Sequence, residues 1–329
     1  MLSRMAESIY WMSRYLERAA NTARLVEINL LHMIEAEDAL TEENQWRPLL
    51  AITGMEQGYQ ERYGDAITAG KALHFMVQDA ANPGSIRQAL RMARENARIV
   101  RDRISKEMWE TINEFWLTTQ SNLTPTLRSD QAAEYCATMR REGARFHGHT
   151  IGTMMRGDAY LFYLIGTFVE RADMTARILD VKYHTLLPKG AAVGSALDYY
   201  QWAALLKSLS GFEAYRRLHQ GGMNPAEIVG FVIFSEQFPR SIRFGAEGVG
   251  KALAKVQKGA GRGKSLVAMQ ALQDHLESHG GPEQIINEGL HEFLQGCLGR
   301  INDVNLALAH DYFDMFGNDD LAAVAEQTQ

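Results

Sequence analysis

Apolar residues recur every three or four positions along most of the chain, a spacing that places side chains on one face of an α-helix. The pattern is clearest over residues 2–36 and again from Asp158 to His184, where the longest apolar stretch runs from Tyr160 to Val169. No segment alternates apolar and polar residues over the length of a strand. The pattern therefore predicts an all-α, multi-helix bundle.

Cap and turn residues divide the pattern into separate helices. Ser85 follows Asn82-Pro83-Gly84 and is a favourable N-cap, and the cap, proline and glutamate of Asn224-Pro225-Ala226-Glu227 begin another helix. Pro188-Lys189-Gly190 is a stop signal. Helices are predicted at 2–36, 66–80, 86–104, 106–118, from Pro125 toward 152, and at 158–184, 197–219, 226–238, 240–257, 266–279 and 283–316, with a Gly/Lys loop at 259–264.

The first helix and the most apolar helix share a sequence motif. Residues from Tyr15 read Tyr-Leu-Glu-Arg-Ala-Ala-Asn-Thr-Ala-Arg-Leu, and residues from Phe168 read Phe-Val-Glu-Arg-Ala-Asp-Met-Thr-Ala-Arg-Ile. The offset is constant, since 170 − 17 = 153. The repeat predicts a single helical domain over 1–329 built from two duplicated halves, about 1–150 and 151–318, with a loose tail at 319–329.

The repeated motif places charges on defined helix faces. Glu17 and Arg24 are seven residues apart and share a face, and Glu170 and Arg177 repeat this spacing. The second copy follows the uncharged run, so Glu170 and Arg171 are expected at or inside the core, where an unpaired charge costs several kcal/mol. Two interpretations follow: polar clamps that fix the packing of the central helices, or a polar pocket at a pseudo-twofold centre that binds an anionic or carboxylate ligand.

Composition restricts the classes of partner. Hydrophobic residues make up 46% of the 329 residues, enough for a large core, and the net charge of −6 argues against nucleic acid as the main partner. Cys136 and Cys297 lack metal-ligand spacing, and the helical pattern begins at once without a targeting segment. We therefore expect a cytoplasmic protein with two free thiols and with no membrane span, metal or cofactor.

One predicted helix carries a ridge of arginines. Five of them repeat at spacings of four and three residues, with Glu95 and Asp102 beside them: Arg87, Arg91, Arg94, Arg98 and Arg101. The ridge is either a solvated, salt-bridged face or a surface that recognises phosphate or a partner's acidic residues. Gly263-Lys264-Ser265 resembles the end of a phosphate-binding loop, but Lys258 replaces the first glycine and no strand precedes it.

Four motifs together resemble the alpha-E family of helical proteins, which is named for its Glu-Arg motif. They are the N-terminal Met-Leu-Ser-Arg with the following Tyr-Trp-Met-Ser-Arg-Tyr-Leu-Glu-Arg-Ala, Ala93-Arg94-Glu95-Asn96-Ala97-Arg98, Glu170-Arg171-Ala172-Asp173, and Phe238-Pro239-Arg240-Ser241-Ile242. Alpha-E proteins accompany circularly permuted ATP-grasp ligases, often beside transglutaminase-like or proteasome-like peptidases. The resemblance implies an accessory or co-catalytic helical subunit of a system that forms amide or peptide bonds.

The candidate site residues belong to these motifs. The candidates for binding an anion or a partner are Arg14, Arg18, Arg24, Arg94, Arg98, Arg171, Arg177 and Arg240. Thr167 stands where family members often carry arginine in the second copy, whereas the first copy keeps Arg14. Two other functions stay open: an independent enzyme that uses Glu17 or Glu170 as general acid or base in an arginine-rich pocket, and a structural scaffold.

Overall fold

The computed structural model describes residues 2–35, 41–121, 127–186, 196–257 and 263–313. These residues form fourteen α-helices and no strands, which confirms the all-α prediction. The chain divides into two compact units, Trp11–Met155 and Met1–Tyr10 with Arg156–Gln329. We call them the N-terminal unit and the C-terminal unit.

Seven helices lie between residues 3 and 153. They are α1 Ser3–Glu35, α2 Glu42–Ile52, α3 Glu56–Tyr63, α4 Ala69–Val77, α5 Ile86–Ile99, α6 Lys106–Ser121 and α7 Ser129–Thr153. Ser85 caps α5 as predicted, because its Oγ accepts a hydrogen bond from the amide of Gln88. Helix α5 ends before the predicted Ile104, since a turn follows in which Val100 and Ile104 remain buried and so continue the apolar pattern.

Seven more helices lie between residues 158 and 312. They are α8 Asp158–Leu186, α9 Ala196–Ser208, α10 Phe212–Leu218, α11 Pro225–Phe234, α12 Ile242–Val256, α13 Lys264–Glu277 and α14 Pro282–Tyr312. The single helix predicted at 197–219 is two helices, because Ser210 adopts a left-handed φ of 54° between them. Helix α14 is kinked at Gly289, whose φ of 129° suits glycine. Residues 259–262 of the predicted loop and the predicted tail lie outside the described residues.

Helices α2 to α7, with α1 from Trp11 onward, form the N-terminal unit. Helix α6 packs between α5 and α7, and α4 contacts α2, α3 and α7. Trp46 on α2, Tyr59 on α3 and Phe146 on α7 are among its largest fully buried side chains. Glu27 on α1 forms an ion pair with Arg140 on α7, which fixes the first helix to the last one.

In the C-terminal unit, α8 is held between α12 and α14. Gly245 and Gly248 let α12 approach α8 closely. A Cβ atom at Gly245 would lie 3.1 Å from the carbonyl oxygen of Phe168, and one at Gly248 would lie 2.6 Å from the ring of the same residue. Because glycine has no Cβ, the two helices pack at a distance that other residues would prevent.

Candidate functional site: the Glu-Arg helices and their surroundings

The first Glu-Arg segment, on α1, places its charges at different depths in the N-terminal unit. Arg14 is fully buried, whereas Glu17 and Arg18 are half-buried. Arg24 is buried and donates through Nη1 to Oδ1 of Asn21 at 3.0 Å. A buried guanidinium and half-buried neighbours show that the motif lies at the edge of the core rather than on the surface.

The second Glu-Arg segment, on α8, is more deeply buried. Glu170 is 1% exposed, and Arg171 next to it is half-buried. Arg177 donates through Nε to Oδ2 of Asp173 at 2.9 Å and through Nη2 to Oδ1 at 3.5 Å. The two residues are one helical turn apart, so this ion pair runs along α8.

Two threonines on α8 donate hydrogen bonds to backbone carbonyl groups, one next to α12 and one within α8. Thr175 donates through Oγ1 to the carbonyl oxygen of Arg240 at 2.7 Å, which joins α8 to the turn before α12. Thr167, which aligns with Arg14 in the repeat, is buried and donates to the carbonyl oxygen of Tyr163 at 2.9 Å. The hydroxyl of Thr167 therefore has its hydrogen bond within α8, and this position carries no positive charge, unlike Arg14 in the first segment.

Asp180 connects α8 to α14. His291 Nδ1 lies 2.6 Å from Oδ1 of Asp180, and Gln295 donates through Nε2 to Oδ2 at 2.8 Å. The sequence did not indicate His291 or Gln295, because they follow Asp180 by 111 and 115 residues with no motif between them. One signal existed: an acid ten residues after each motif glutamate, since 180 − 170 = 10 and 27 − 17 = 10. Both acids bind a basic side chain of the last helix in their unit.

The arginine ridge interacts with α6. Arg87 donates to Oε1 of Gln120 at 2.9 Å, and Arg94 donates through Nε to Oδ1 of Asn113 at 2.9 Å. The guanidinium carbons of Arg94 and Arg101 lie 5.8 Å and 5.2 Å from the ring centre of Trp109. Arg101 lies beyond the end of α5, so the predicted helical ridge is wrong at its last member.

Glu95 neutralises part of this surface. It accepts from Arg94 Nη1 at 2.8 Å and from Arg98 Nε at 2.9 Å. Arg101 has no carboxylate partner among the described residues, because the adjacent Asp102 pairs with Arg103. The surface therefore keeps an excess of positive charge, although the whole chain carries a net charge of −6.

A groove of about 460 Å³ lies between α12 and α13 in the C-terminal unit. The charged side chains of its α12 wall pair with one another: Glu247 accepts from Arg243 Nε at 3.0 Å and from Lys251 Nζ at 3.2 Å. The hydrogen bond with Glu247 raises the pKa of Arg243, and the same bond lowers the pKa of Glu247. The sequence did not indicate this groove, because small and polar helical residues form its walls without any motif.

The two cysteines are buried thiols, and no metal cluster is evident in the part of the chain that the structure describes. Cys136 and Cys297 are free and buried; burial raises the pKa of both thiols, that of Cys297 to about 12, so both are protonated at neutral pH. Within the five described ranges, no group of three or more His, Cys, Asp or Glu residues is placed to hold a metal ion. None of the helices in those ranges is long and apolar enough to cross a bilayer.

These features define an all-α protein whose two Glu-Arg helices are anchored by polar contacts within their own units. A family model named Alpha-E, described as a predicted alpha-helical domain with a conserved ER motif, matches residues 1–313. The chain belongs to this family.

Curated relatives are uncharacterized proteins of mycobacteria. One from Mycobacterium bovis and two from Mycobacterium tuberculosis are each 24% identical to this chain over 325 residues, which is 92% of the chain. The match covers 36% of each relative, so the chain spans about a third of their length. No solved structure matches the chain.

Proposed function

We propose that the protein is a cytoplasmic accessory or co-catalytic subunit that works with a circularly permuted ATP-grasp ligase in forming amide or peptide bonds. The observation that carries the proposal is membership of the alpha-E family. The resemblance to this family implies an association with such ligases. The mycobacterial relatives add support, because the matching helical module makes up only 36% of each of them. A module that is joined to a longer sequence in its relatives is suited to act beside another domain.

The Glu-Arg helix of the C-terminal unit favours a supporting role over direct catalysis. A general acid or base must come within hydrogen-bond distance of its substrate. Glu170 is 1% exposed, and Arg177, Thr175 and Asp180 on the same helix are bonded within the unit. The contacts of Thr175 with the turn before α12 and of Asp180 with α14 support the clamp interpretation of α8. The alternative of an independent enzyme rests instead on Glu17, which is half-buried beside the half-buried Arg18.

The arginine ridge is the surface that we assign to the ligase partner. Arg98 and Arg101 are exposed, and the ridge carries more guanidinium groups than carboxylates. Charge of one sign on an exposed face accelerates association with an oppositely charged partner and fixes its orientation. An acidic surface of the ATP-grasp protein is the matching chemistry. A transglutaminase-like or proteasome-like peptidase is a second partner in the same system.

The test uses the purified full chain and its cognate ATP-grasp protein. We expect no ATP hydrolysis by the chain alone, and a complex or altered amide-forming turnover after mixing. Arg98→Glu combined with Arg101→Glu should weaken the complex at least about tenfold, which is roughly 1.4 kcal/mol. Arg141→Glu is the matched control, because Arg141 is exposed on α7 and, among the described residues, bonds only to Thr138 of its own helix. Robust ATPase activity of the isolated chain would refute the proposal. Ligase turnover that is unchanged when the chain is added would also refute it.

A further inference from the structure

A tyrosine makes the same two hydrogen bonds in both units. Tyr59 on α3 donates to the carbonyl oxygen of Ala66 at 3.3 Å and accepts from the amide of Thr68 at 3.4 Å. Tyr215 on α10 makes the corresponding bonds, to Gly222 at 3.3 Å and from Asn224 at 3.3 Å. All three pairs of positions are the same distance apart, since 215 − 59, 222 − 66 and 224 − 68 each equal 156.

The same offset relates the caps of α5 and α12. Ser85 donates to the carbonyl oxygen of Asp79 and accepts from the third amide of α5. Ser241 donates to the carbonyl oxygen of Ser235 and accepts from the third amide of α12, and 241 − 85 = 156. Residues of α12 therefore have counterparts on α5 that can be compared one by one.

The comparison identifies what the α12–α13 groove lacks. Gly250 and Ala254 of the groove correspond to Arg94 and Arg98 on α5, because 250 − 94 and 254 − 98 both equal 156. Arg94 lies over Trp109 and donates to an amide oxygen of α6. In the C-terminal unit small residues replace both arginines, and the groove of about 460 Å³ occupies the corresponding position between the helices.

The hydrogen-bonding capacity left in the groove is mostly that of acceptors. Gln270 donates through Nε2 to Asp274 at 2.9 Å, and Gln273 donates through Nε2 to the carbonyl oxygen of Ala246 at 3.4 Å. Their amide oxygens accept no hydrogen bond from the described residues. Glu277 adds a carboxylate that forms no ion pair within the described part of the chain, although its charge helps to raise the pKa of Arg243; both cations of the groove contact Glu247.

We propose that the α12–α13 groove binds the guanidinium group of an arginine, carried either by another polypeptide or by the free amino acid. A guanidinium has five N–H donors in a planar fork and no acceptor, which suits Glu277 and the two amide oxygens. Leu266, Leu276 and Ala254 supply apolar surface for its alkyl chain. The volume lies within the range of roughly 300–1,000 Å³ that small-ligand sites occupy. This proposal does not depend on the ligase partnership.

The test measures binding of arginine derivatives to the full chain by calorimetry. Nα-acetyl-arginine amide should bind saturably with a Kd of about 1 mM, and the citrulline analogue, whose neutral urea replaces the guanidinium, at least about tenfold more weakly. Ala254→Arg should abolish binding, because Ala254 lines the groove and an arginine side chain there would occupy it. Ala271→Arg is the matched control, since Ala271 is exposed on α13 and does not line the groove.

Glu277→Gln should weaken binding about tenfold, because it removes the carboxylate charge. Since Glu277 is exposed, this variant should fold, and it tests the proposal even if Ala254→Arg fails to fold. Comparison with free arginine shows whether the natural ligand is a polypeptide or the free amino acid. If Nα-acetyl-arginine amide binds at least as tightly as free arginine, the ligand is a polypeptide. If only free arginine binds, the ligand is the amino acid. No saturable binding of either form, equal binding of the citrulline analogue, or undiminished binding by folded Ala254→Arg or Glu277→Gln protein would overturn the proposal.

Discussion

Glu170 is the residue for which the clamp and pocket interpretations give opposite expectations. Glu170 is 1% exposed. Under the clamp interpretation it is one member of a buried ion pair, and removing one member of such a pair costs about 3–5 kcal/mol. We expect Glu170→Gln to lower the melting temperature markedly and to leave partner-dependent turnover per folded molecule unchanged. The measurements are thermal unfolding and ligase turnover, with the exposed Glu114→Gln as control. An unchanged melting temperature with abolished turnover would instead establish the pocket.

The paired tyrosines allow a second test at this scale. Tyr59 and Tyr215 are fully buried, and burial raises the pKa of both hydroxyls, so each remains a hydrogen-bond donor at neutral pH. Tyr59→Phe and Tyr215→Phe should each lower the free energy of unfolding by about 0.5–1.5 kcal/mol, because the amide that the hydroxyl accepts from loses its partner. Urea unfolding measures both variants. A cost no larger than that of Tyr200→Phe, at a residue 56% exposed, would contradict this assignment.

Single residues were predictable from the sequence where the chemistry is local. The caps at Ser85 and Asn224 follow from residue type and position, and both side chains accept hydrogen bonds from the first turn of their helix. The partners of Asp180 were not predictable, because only the fold brings His291 and Gln295 to it. The left-handed Ser210 was also missed, since serine gives no conformational signal comparable to that of glycine.

At the scale of elements, the packing of α8 on α12 depends on the absence of a side chain at Gly248. Gly248→Ala would place Cβ 2.6 Å from the Phe168 ring, so we expect a loss of about 1–3 kcal/mol in unfolding free energy. Gly148→Ala in α7 is the control: its Cβ would meet nothing within 4 Å, and alanine should stabilise the helix by about 0.5–1 kcal/mol. Denaturant unfolding of both variants checks the contrast. Equal stability of the two variants would show that α8 and α12 are not closely packed.

The contact between α13 and α14 should respond to pH through His275. Its ring stacks on Phe293 at 4.7 Å, and burial lowers its pKa below the ordinary 6.5. At a pH just below 6.5 the imidazole of His275 is therefore protonated more often in the unfolded chain than in the folded chain. The stabilisation is present above pH 6.5 and is lost as pH falls below that value, by at most about 1.4 kcal/mol per pH unit.

Denaturant unfolding at several pH values between about 7.5 and 5.5 measures the slope of the unfolding free energy against pH, and His275→Gln should flatten this slope. The slope is the informative quantity, because loss of the stacked ring lowers stability at every pH. An unchanged slope in the variant would assign the pH dependence to other groups.

Helix boundaries were predictable only where a cap or breaker is present. Helix α8 was predicted nearly in full because its apolar pattern is continuous. Helices α2 and α3 were not predicted: they are short, and in α3 Tyr59 is the buried residue, so no repeated apolar pattern exists to detect. The end of α5 was placed too late, since Val100 and Ile104 are buried in the turn after it.

For the whole molecule, the sequence predicted duplicated halves from one helix motif alone. Several positions 156 residues apart share burial and hydrogen bonds, and some of them share a residue type, such as Tyr59 with Tyr215 and Ser85 with Ser241. Gly54 and Ser210, which are 156 residues apart, both have left-handed φ values, 69° and 54°, yet share no residue type. The α12–α13 groove is recognised as a candidate site only when such positions are compared. The comparison shows that Gly250 and Ala254 stand where α5 carries Arg94 and Arg98.

The correspondence makes a prediction about exchanging segments between the units. Residues 201–219 should replace residues 45–63 without loss of fold, because both segments have the same length and bury equivalent positions: Trp46 and Trp202, Leu49 and Leu205, Leu50 and Leu206, Tyr59 and Tyr215. The exchange removes ion pairs of the partly exposed Arg47, which contribute little. It also removes Arg62, which pairs with the buried Asp79, so the chimera should carry Leu218→Arg to keep that ion pair. A graft of residues 203–221, displaced by two positions, moves these side chains off the buried face and should prevent folding. Circular dichroism and thermal unfolding of both chimeras decide the matter: if the two grafts melt alike, the corresponding positions in the two units are not equivalent.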